Sequence, residues 1–289
     1  AAAADRAAGE DRAAGEDRAA GLGGAAGPLE LPPFVRNELE FPTSPEGNVA
    51  FLRAWQEIFT GDGFDFDYHL MWDHYLDPGA MSIAKTLHAD LRDLSTIGLN
   101  GNVSCQVQRV AFPTGLPMYV LGETLWNPGR SFDEIATEYF QAAFGRYGAE
   151  IRTYLSRLSE LFAPLLSWRT GGGVQDGSGN TPDPRGNAMQ FEGVGELIDS
   201  VLAQLKQRRN DERLSVAQRA AVERLIDHGK LTLGLADAAT MRAYGDRAGA
   251  AKRWREVAEQ AVALEPKLQE VFDAMFYGDV IGGRLFEQE

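Results

Sequence analysis

Two short clusters of polar and aromatic residues have the types and spacing for ligand chemistry. The first, WDHY (72–75), places a carboxylate and a histidine, which both transfer protons, between two aromatic rings. The second, QVQR (106–109), supplies two amides and a guanidinium. A polyhydroxylated ligand requires carboxylates for proton transfer, aromatic faces for stacking, and amide or guanidinium donors for its hydroxyl groups. The two clusters therefore predict one site for such a ligand.

Each cluster lies at the end of a predicted strand. The segment FDFDYHLMW (64–72) begins with alternating residues and is rich in aromatic rings, and GNVSCQVQ (101–108) is a second short extended segment. Between them, the apolar spacing predicts a helix over 80–94. Strand, helix and strand in this order indicate a parallel unit, so we expect both strand ends at the same edge of a sheet.

Each residue around the first cluster has a functional and a structural interpretation. Asp73 is the candidate for proton transfer, but it would equally suit a turn or a helix cap. Trp72 and Tyr75 would stack on a substrate, although a tryptophan here is also suited to the core. His69 and His74 would bind the substrate, or they would be buried structural histidines.

The second cluster is the more unusual one for a strand. Gln106 and Gln108 lie two residues apart and therefore face the same side, whereas parallel strands are usually apolar on both faces. These two glutamines are therefore predicted to contact a polar partner or a substrate. Arg109 would bind a carboxylated sugar, or it would pair with Asp73 or Glu123.

One further aromatic residue belongs to the predicted site, and no metal or cofactor does. Trp126 ends a predicted helix over 118–126, where it would cover the site or fasten the helix to the sheet. The spacing of His69, Asp73 and His74 matches no standard zinc motif. The glycine-rich TGGGVQDGSG (170–179) lacks the Lys-Ser/Thr pair of a phosphate-binding loop.

Composition excludes several functional classes. The chain has 289 residues, with 28 Lys and Arg against 42 Asp and Glu, and a net charge of −14. Such a charge disfavours binding to nucleic acid or to an anionic membrane surface. No run approaches the ~18 apolar residues of a membrane span. A single cysteine, Cys105, precludes an internal disulfide.

Composition also divides the chain into four regions. Residues 1–33 hold a glycine-punctuated repeat, DRAAGE, and a linker, and are predicted to be disordered. They show no basic start followed by an apolar stretch, so no signal peptide is predicted; the location stays open, with the cytoplasm slightly favoured. An α/β region is predicted over 34–169, a glycine-rich loop over 170–190, and an α-helical domain over 191–289.

The segment 48–145 resembles a bacterial family of uncharacterised domains. The similarity lies in four stretches: FDFDYHLMWDHY, HADLRDLSTIGLNGNVSCQVQR, FPTGLPMYVLGETLWNP and SFDEIATEYFQAAFG. That family is similar to α-glucuronidases and hexosaminidases in its (β/α)8 catalytic barrel. The resemblance implies an α/β fold class: the late, C-terminal portion of such a barrel, followed by an α-helical domain.

The resemblance also implies a carbohydrate function. A complete barrel takes about 250 residues, and the acid/base carboxylate of related glycosidases lies upstream of anything present in this sequence. We therefore expect a glycoside-hydrolase-like protein that acts on or binds oligosaccharide, with Asp73 as its catalytic candidate, and that is incomplete for catalysis alone. The alternative is a non-enzymatic helical module. Its exposed strand edges would bind a partner protein, a second copy or an upstream barrel half.

Overall fold

The computed structural model describes residues 36, 44–169 and 184–286, and for a few of these it describes the backbone alone: Pro45, Asp73, 166–169, 184–190 and Arg284. The predicted tail and linker at 1–33 lie outside the described residues, as do residues 170–183 of the predicted loop. The remaining loop residues, 184–190, are helical. Pro184 is the first helical residue, where its missing N–H leaves no hydrogen bond unmade.

The described residues divide into two compact units, one of the residues up to 65 together with 92–103, the other of 66–91 together with the described residues from 104 onwards. In the first unit, helix α1 (Pro45–Gln56) begins after Ser44, whose hydroxyl accepts the N–H of Gly47. The side-chain amide of Gln56 donates to the carbonyl of Ile97 at 2.9 Å. This bond fastens the end of α1 to the second segment of the unit.

The described part of the chain holds two strands, which form one parallel sheet. Strand β1 is Asp65–Asp67 and β2 is Asn102–Ser104. The amide of Asp65 donates to Gly101 and that of Cys105 to Asp67, both at 2.9 Å. The prediction of two parallel extended segments side by side is therefore confirmed. Both strands are shorter than predicted, because the chain turns at Tyr68 and enters a 3-10 helix at 73–76.

The described residues are mostly helical. The remaining helices are, in chain order, α2 (Met81–Asp93), α3 (Leu116–Trp126), α4 (Phe132–Phe144), α5 (Gly148–Arg169), α6 (Pro184–Arg208), α7 (Val216–Ala243), α8 (Arg247–Leu268) and α9 (Ala274–Ile281). The sequence predicts a capping box of Ser131 and Glu134 for a helix over 132–144, and the structure confirms it at the start of α4.

Helices on both sides of residues 170–183 share one hydrophobic core. Phe162 on α5 and Phe191 on α6 are both buried, and their ring centroids lie 5.5 Å apart. The same core includes Tyr75 near the start of the unit and Phe286 at its end. The predicted regions 34–169 and 191–289 therefore contribute to a common core.

The sequence pattern predicts separate helices over 215–228 and 235–264, whereas helix α7 continues through the two glycines between them. A Cβ added to Gly234 would lie 2.5 Å from Cγ2 of Val257, and one added to Gly229 would lie 2.9 Å from Cδ2 of Leu202. These glycines allow α6 and α8 to approach α7 closely. The helix ends instead at Ala243, two residues before Gly245, which has a φ of +89°.

A buried turn precedes α2. The carboxylate of Asp77 accepts the hydroxyl of Ser159 on α5 and the N–H of Ile83, the latter at 2.9 Å. Gly79 lies directly against α5, because a Cβ at this position would be 2.1 Å from the carbonyl oxygen of Leu155. The turn thus joins α2 to α5 through contacts that leave no room for a side chain at Gly79.

Candidate functional site

Three aromatic side chains form a partly exposed row in the second unit, which we call the aromatic surface (Phe66, Tyr68 and Trp72). Phe66 is 50% exposed and Tyr68 is 43% exposed. The ring of Tyr68 stacks on Trp72 at 5.3 Å between centroids and meets Phe66 edge-on at 5.2 Å. Trp72 packs against the main core and anchors one end of the row. This arrangement offers a ligand two exposed rings on a rigid base.

The strand and the turn after it set the direction of these rings. Along β1 the alternation of side chains leaves Phe66 exposed and buries Asp67. The Asp67 carboxylate accepts the backbone N–H of His69 at 3.1 Å and the hydroxyl of Ser104 at 3.3 Å. These bonds fix the turn on either side of Tyr68, so that its ring stays between Phe66 and Trp72.

His69 fastens this segment to α2 through two carboxylates. Its Nε2 lies 2.8 Å from Oδ2 of Asp90, and its Nδ1 lies 3.1 Å from Oδ1 of Asp67. The hydrogen bond to Asp90, followed by the contacts with Asp67, outweighs the effect of burial and raises the pKa of His69 to about 9. At neutral pH His69 is therefore an imidazolium that lies between the side chains of Asp67 and Asp90.

Asp90→Asn is expected to lower the pKa of His69 towards 6.5, because the amide replaces the carboxylate that stabilises the imidazolium most. Titration of the His69 ring protons by NMR measures this change. Asp93→Asn, which alters an exposed carboxylate on the same helix, is the control and should leave the pKa near 9. An unchanged titration in Asp90→Asn would contradict the described geometry.

Two unpaired amides lie on the neighbouring segment. The N–H of Cys105 donates to the carbonyl of Asp67 at 2.9 Å, and that of Val107 donates to Leu70 at 3.2 Å. Val107 is buried, whereas Gln106 and Gln108 are exposed and hydrogen-bond to no described residue. Both amides are therefore free to bind a ligand beside the chain that carries the aromatic surface.

The core, rather than a surface cleft, holds two residues of the WDHY cluster. His74 and Tyr75 are 7% and 6% exposed, and neither ring nitrogen of His74 nor the Tyr75 hydroxyl bonds to a described residue. Burial lowers the pKa of His74 to about 4 and raises that of Tyr75. The side chain of Asp73 lies outside the described residues.

Arg109 pairs with carboxylates that the local sequence does not suggest. It forms ion pairs with Glu265 and, at 3.0 Å, with Asp273. The predicted alternative of a pair with Glu123 is wrong, since Arg130 binds that carboxylate. Beside Arg109, the chain is fastened to the end of α8: Val110 forms an antiparallel bridge with Phe272, and the N–H of Ala111 donates to Val271 at 3.1 Å.

The structure thus brings together only part of the predicted site. His69, Trp72, Gln106 and Gln108 lie on paired segments, while Trp126 is 88% exposed at the end of α3. Phe66 and Tyr68 were missed as site residues, although the alternation in FDFDY indicates that they share a face. The sequence does not indicate that Asp90 belongs to the site, because an acidic residue on a helix ordinarily faces solvent.

Comparison with protein families, with curated proteins and with solved structures finds no match to this chain. Within the described ranges, no three His, Cys, Asp or Glu residues are grouped so that they would hold a metal ion. Nor does any helix described here have the length and apolar character needed to cross a membrane.

Proposed function

We propose that this protein binds a neutral oligosaccharide on the aromatic surface and does so as a binding module. The observation that carries the proposal is the row of Phe66, Tyr68 and Trp72, with centroids 5.2 and 5.3 Å apart and two rings open to solvent. Pyranose rings present C–H faces that pack against exposed aromatic surface, here Phe66 and the part of Tyr68 that is not stacked on Trp72. A row of rings suits an extended ligand of more than one sugar unit.

The polar groups beside the row suit hydroxyl recognition. Gln106 and Gln108 each carry an amide that both donates and accepts hydrogen bonds, and neither amide is used within the described residues. The Asp90 carboxylate, which is half exposed, retains acceptor sites beyond its bond to His69. A sugar over Tyr68 would therefore find apolar contact on its face and hydrogen-bond partners at its rim.

Charge favours a neutral saccharide over a uronic acid. The two cations of this region, His69 and Arg109, each lie between two carboxylates, so neither is free to bind an acidic sugar. The chain as a whole carries a net charge of −14. Carboxylated sugars would meet uncompensated repulsion at this surface.

The resemblance to barrel glycosidases supports the ligand class in this proposal but not a catalytic step. The small parallel sheet is compatible with the strand order of such a barrel. It consists of two strands of three residues each among the described residues, which is far from the eight strands of a barrel. A hydrolytic role for Asp73 is therefore left outside the proposal.

Tyr68→Ala is expected to weaken oligosaccharide binding by roughly tenfold or more, because it removes the central ring of the row. Isothermal titration calorimetry with neutral gluco-, xylo- and chito-oligosaccharides, after a glycan-array screen, measures the effect. Tyr68 is 43% exposed, so the free energy of unfolding should fall by only about 1 kcal/mol.

Tyr244→Ala is the matched control, since Tyr244 is also exposed and hydrogen-bonds to Glu192 on α6 instead. It should leave the affinity unchanged. If no neutral oligosaccharide binds, or if Tyr68→Ala and Tyr244→Ala behave alike, the saccharide proposal fails. The alternative of a module that binds a protein partner then takes its place.

A further inference from the structure

A cavity of about 630 Å³ lies between α4 and α5, in the second unit, beside the turn that joins them. Residues at helical spacing line both of its walls. Thr137, Phe140 and Gln141 form one face of α4, and Ala149, Arg152, Thr153 and Ser156 form one face of α5. Gly145 and Arg146, from the connecting turn, close one end.

The lining of this cavity is cationic in a strongly acidic protein. It includes two arginines, three hydroxyls and one amide, and no Asp or Glu, although the chain has 42 acidic residues. Arg146 is exposed and forms no hydrogen bond or ion pair with any described residue, its guanidinium lying 5.7 Å from the ring of Tyr147. Its five N–H donors are therefore open to an anion.

The guanidinium group of Arg152 is held in place by two side chains. Its Nη1 donates to the hydroxyl of Thr137 at 2.9 Å, and its Nη2 lies 2.7 Å from Oδ1 of Asp133. Asp133 is 71% exposed and does not line the cavity, so it holds Arg152 in place while neutralising part of its charge. The floor is apolar, since its lining includes the exposed methyl group of Ala149 and the ring of Phe140, which is almost fully buried.

We propose that this cavity binds a small organic phosphate monoester. Arg146 and Arg152 would bind the phosphate oxygens, the hydroxyl of Ser156 would donate to them, and the organic group would lie over Ala149. The hydroxyl of Thr153 already donates to the carbonyl of Ala149 at 3.1 Å. Guanidinium groups bind phosphate oxygens in pairs of parallel hydrogen bonds, which makes arginine well suited to this ligand. The site is separate from the aromatic surface and does not depend on the saccharide proposal.

Calorimetric titration of the full chain with phenyl phosphate and with inorganic phosphate, at low salt, tests the site. Phenyl phosphate should bind more tightly, because its ring covers the apolar floor. Arg146→Gln and Arg152→Gln should each weaken binding roughly tenfold or more. Asp133→Asn should strengthen binding, since it removes the carboxylate that competes for Arg152. Arg157→Gln, an exposed arginine of α5 paired with Glu160, should change nothing.

Opposite effects of Arg146→Gln and Asp133→Asn would not arise from a loss of folding, and circular dichroism checks the fold of each variant. If Arg152→Gln does not fold, Arg152→Lys, which keeps the charge, replaces it in the binding measurement. Absence of binding would overturn the assignment. Equal or weaker binding of phenyl phosphate than of inorganic phosphate would do the same, as would an equal loss in Arg157→Gln.

Discussion

Gly79→Ala is expected to lower the free energy of unfolding by about 3 kcal/mol or more. The added Cβ would lie 2.1 Å from the carbonyl oxygen of Leu155 and 2.6 Å from the backbone nitrogen of Ser159. Both atoms belong to the backbone of α5, which cannot move without disturbing the core. The displacement would also stretch the buried hydrogen bonds of Asp77 with Ser159 and with Ile83.

Urea denaturation followed by circular dichroism measures this loss. Gly122→Ala is the control, because Gly122 is exposed on α3 and a Cβ there would meet nothing within 4 Å. Alanine forms helix better than glycine, so this variant should gain up to about 1 kcal/mol. A Gly79→Ala protein as stable as the native one would mean that the turn at 77–80 does not lie against α5.

The protein is expected to lose stability as the pH falls from 6.5 towards 4. Burial lowers the pKa of His74 to about 4 and that of His228 to about 3, whereas both residues titrate near 6.5 in an unfolded chain. Between these values the unfolded chain binds protons that the folded chain does not. The stabilising contribution is therefore complete above pH 6.5 and decreases in acid, by about 3 kcal/mol for each histidine.

His69 acts in the opposite direction. Its pKa is raised to about 9, so its contribution is complete below pH 6.5 and is lost as the pH rises through 9. His69 is partly exposed, which reduces the size of this effect. Stability should therefore be greatest near neutral pH and should fall on both sides.

Free energies of unfolding measured from pH 4.5 to 8 test this pH dependence. His74→Phe keeps a ring against Tyr75, where the two ring centroids are now 4.0 Å apart, and should flatten the acid side of the curve. His228→Phe should do likewise beside Phe112. The test compares the slopes of these free energies against pH. A variant that is less stable than the native protein at every pH can therefore still be compared with it. Slopes equal to that of the native protein would show that neither histidine is buried in its neutral form.

Local sequence signals predicted the helices that end at caps and turns. Ser131 and Glu134 mark the start of α4, and Gly145 follows its last residue. The same signals failed within α7, since Gly229 and Gly234 predict a helix break and instead allow close helix packing. Whether a glycine ends a helix or lies at a helix crossing depends on a neighbouring helix, which a local pattern does not contain.

The candidate site was predicted less well than the fold, for a comparable reason. Parallel pairing of the two segments followed from the strand–helix–strand order. The burial of His74 and Tyr75 could not be predicted in this way, because a polar aromatic residue suits the core and the surface equally. The partners of Arg109 lie in the last helices of the unit, where any of several carboxylates would satisfy the same charge.

The bridge between Val110 and Phe272 has a consequence for biosynthesis. Leu70, Val107 and Val110 form a small cluster that Met71, Met118, Leu121 and Phe276 help to cover, and the backbone at Val110 and Ala111 pairs with Phe272 and Val271, which are made much later. A nascent chain on the ribosome therefore carries this cluster without the cover of Phe276 until α8 and the start of α9 have emerged. Chaperones that recognise apolar segments would find one target here during translation, and would lose it once the C-terminal helices dock.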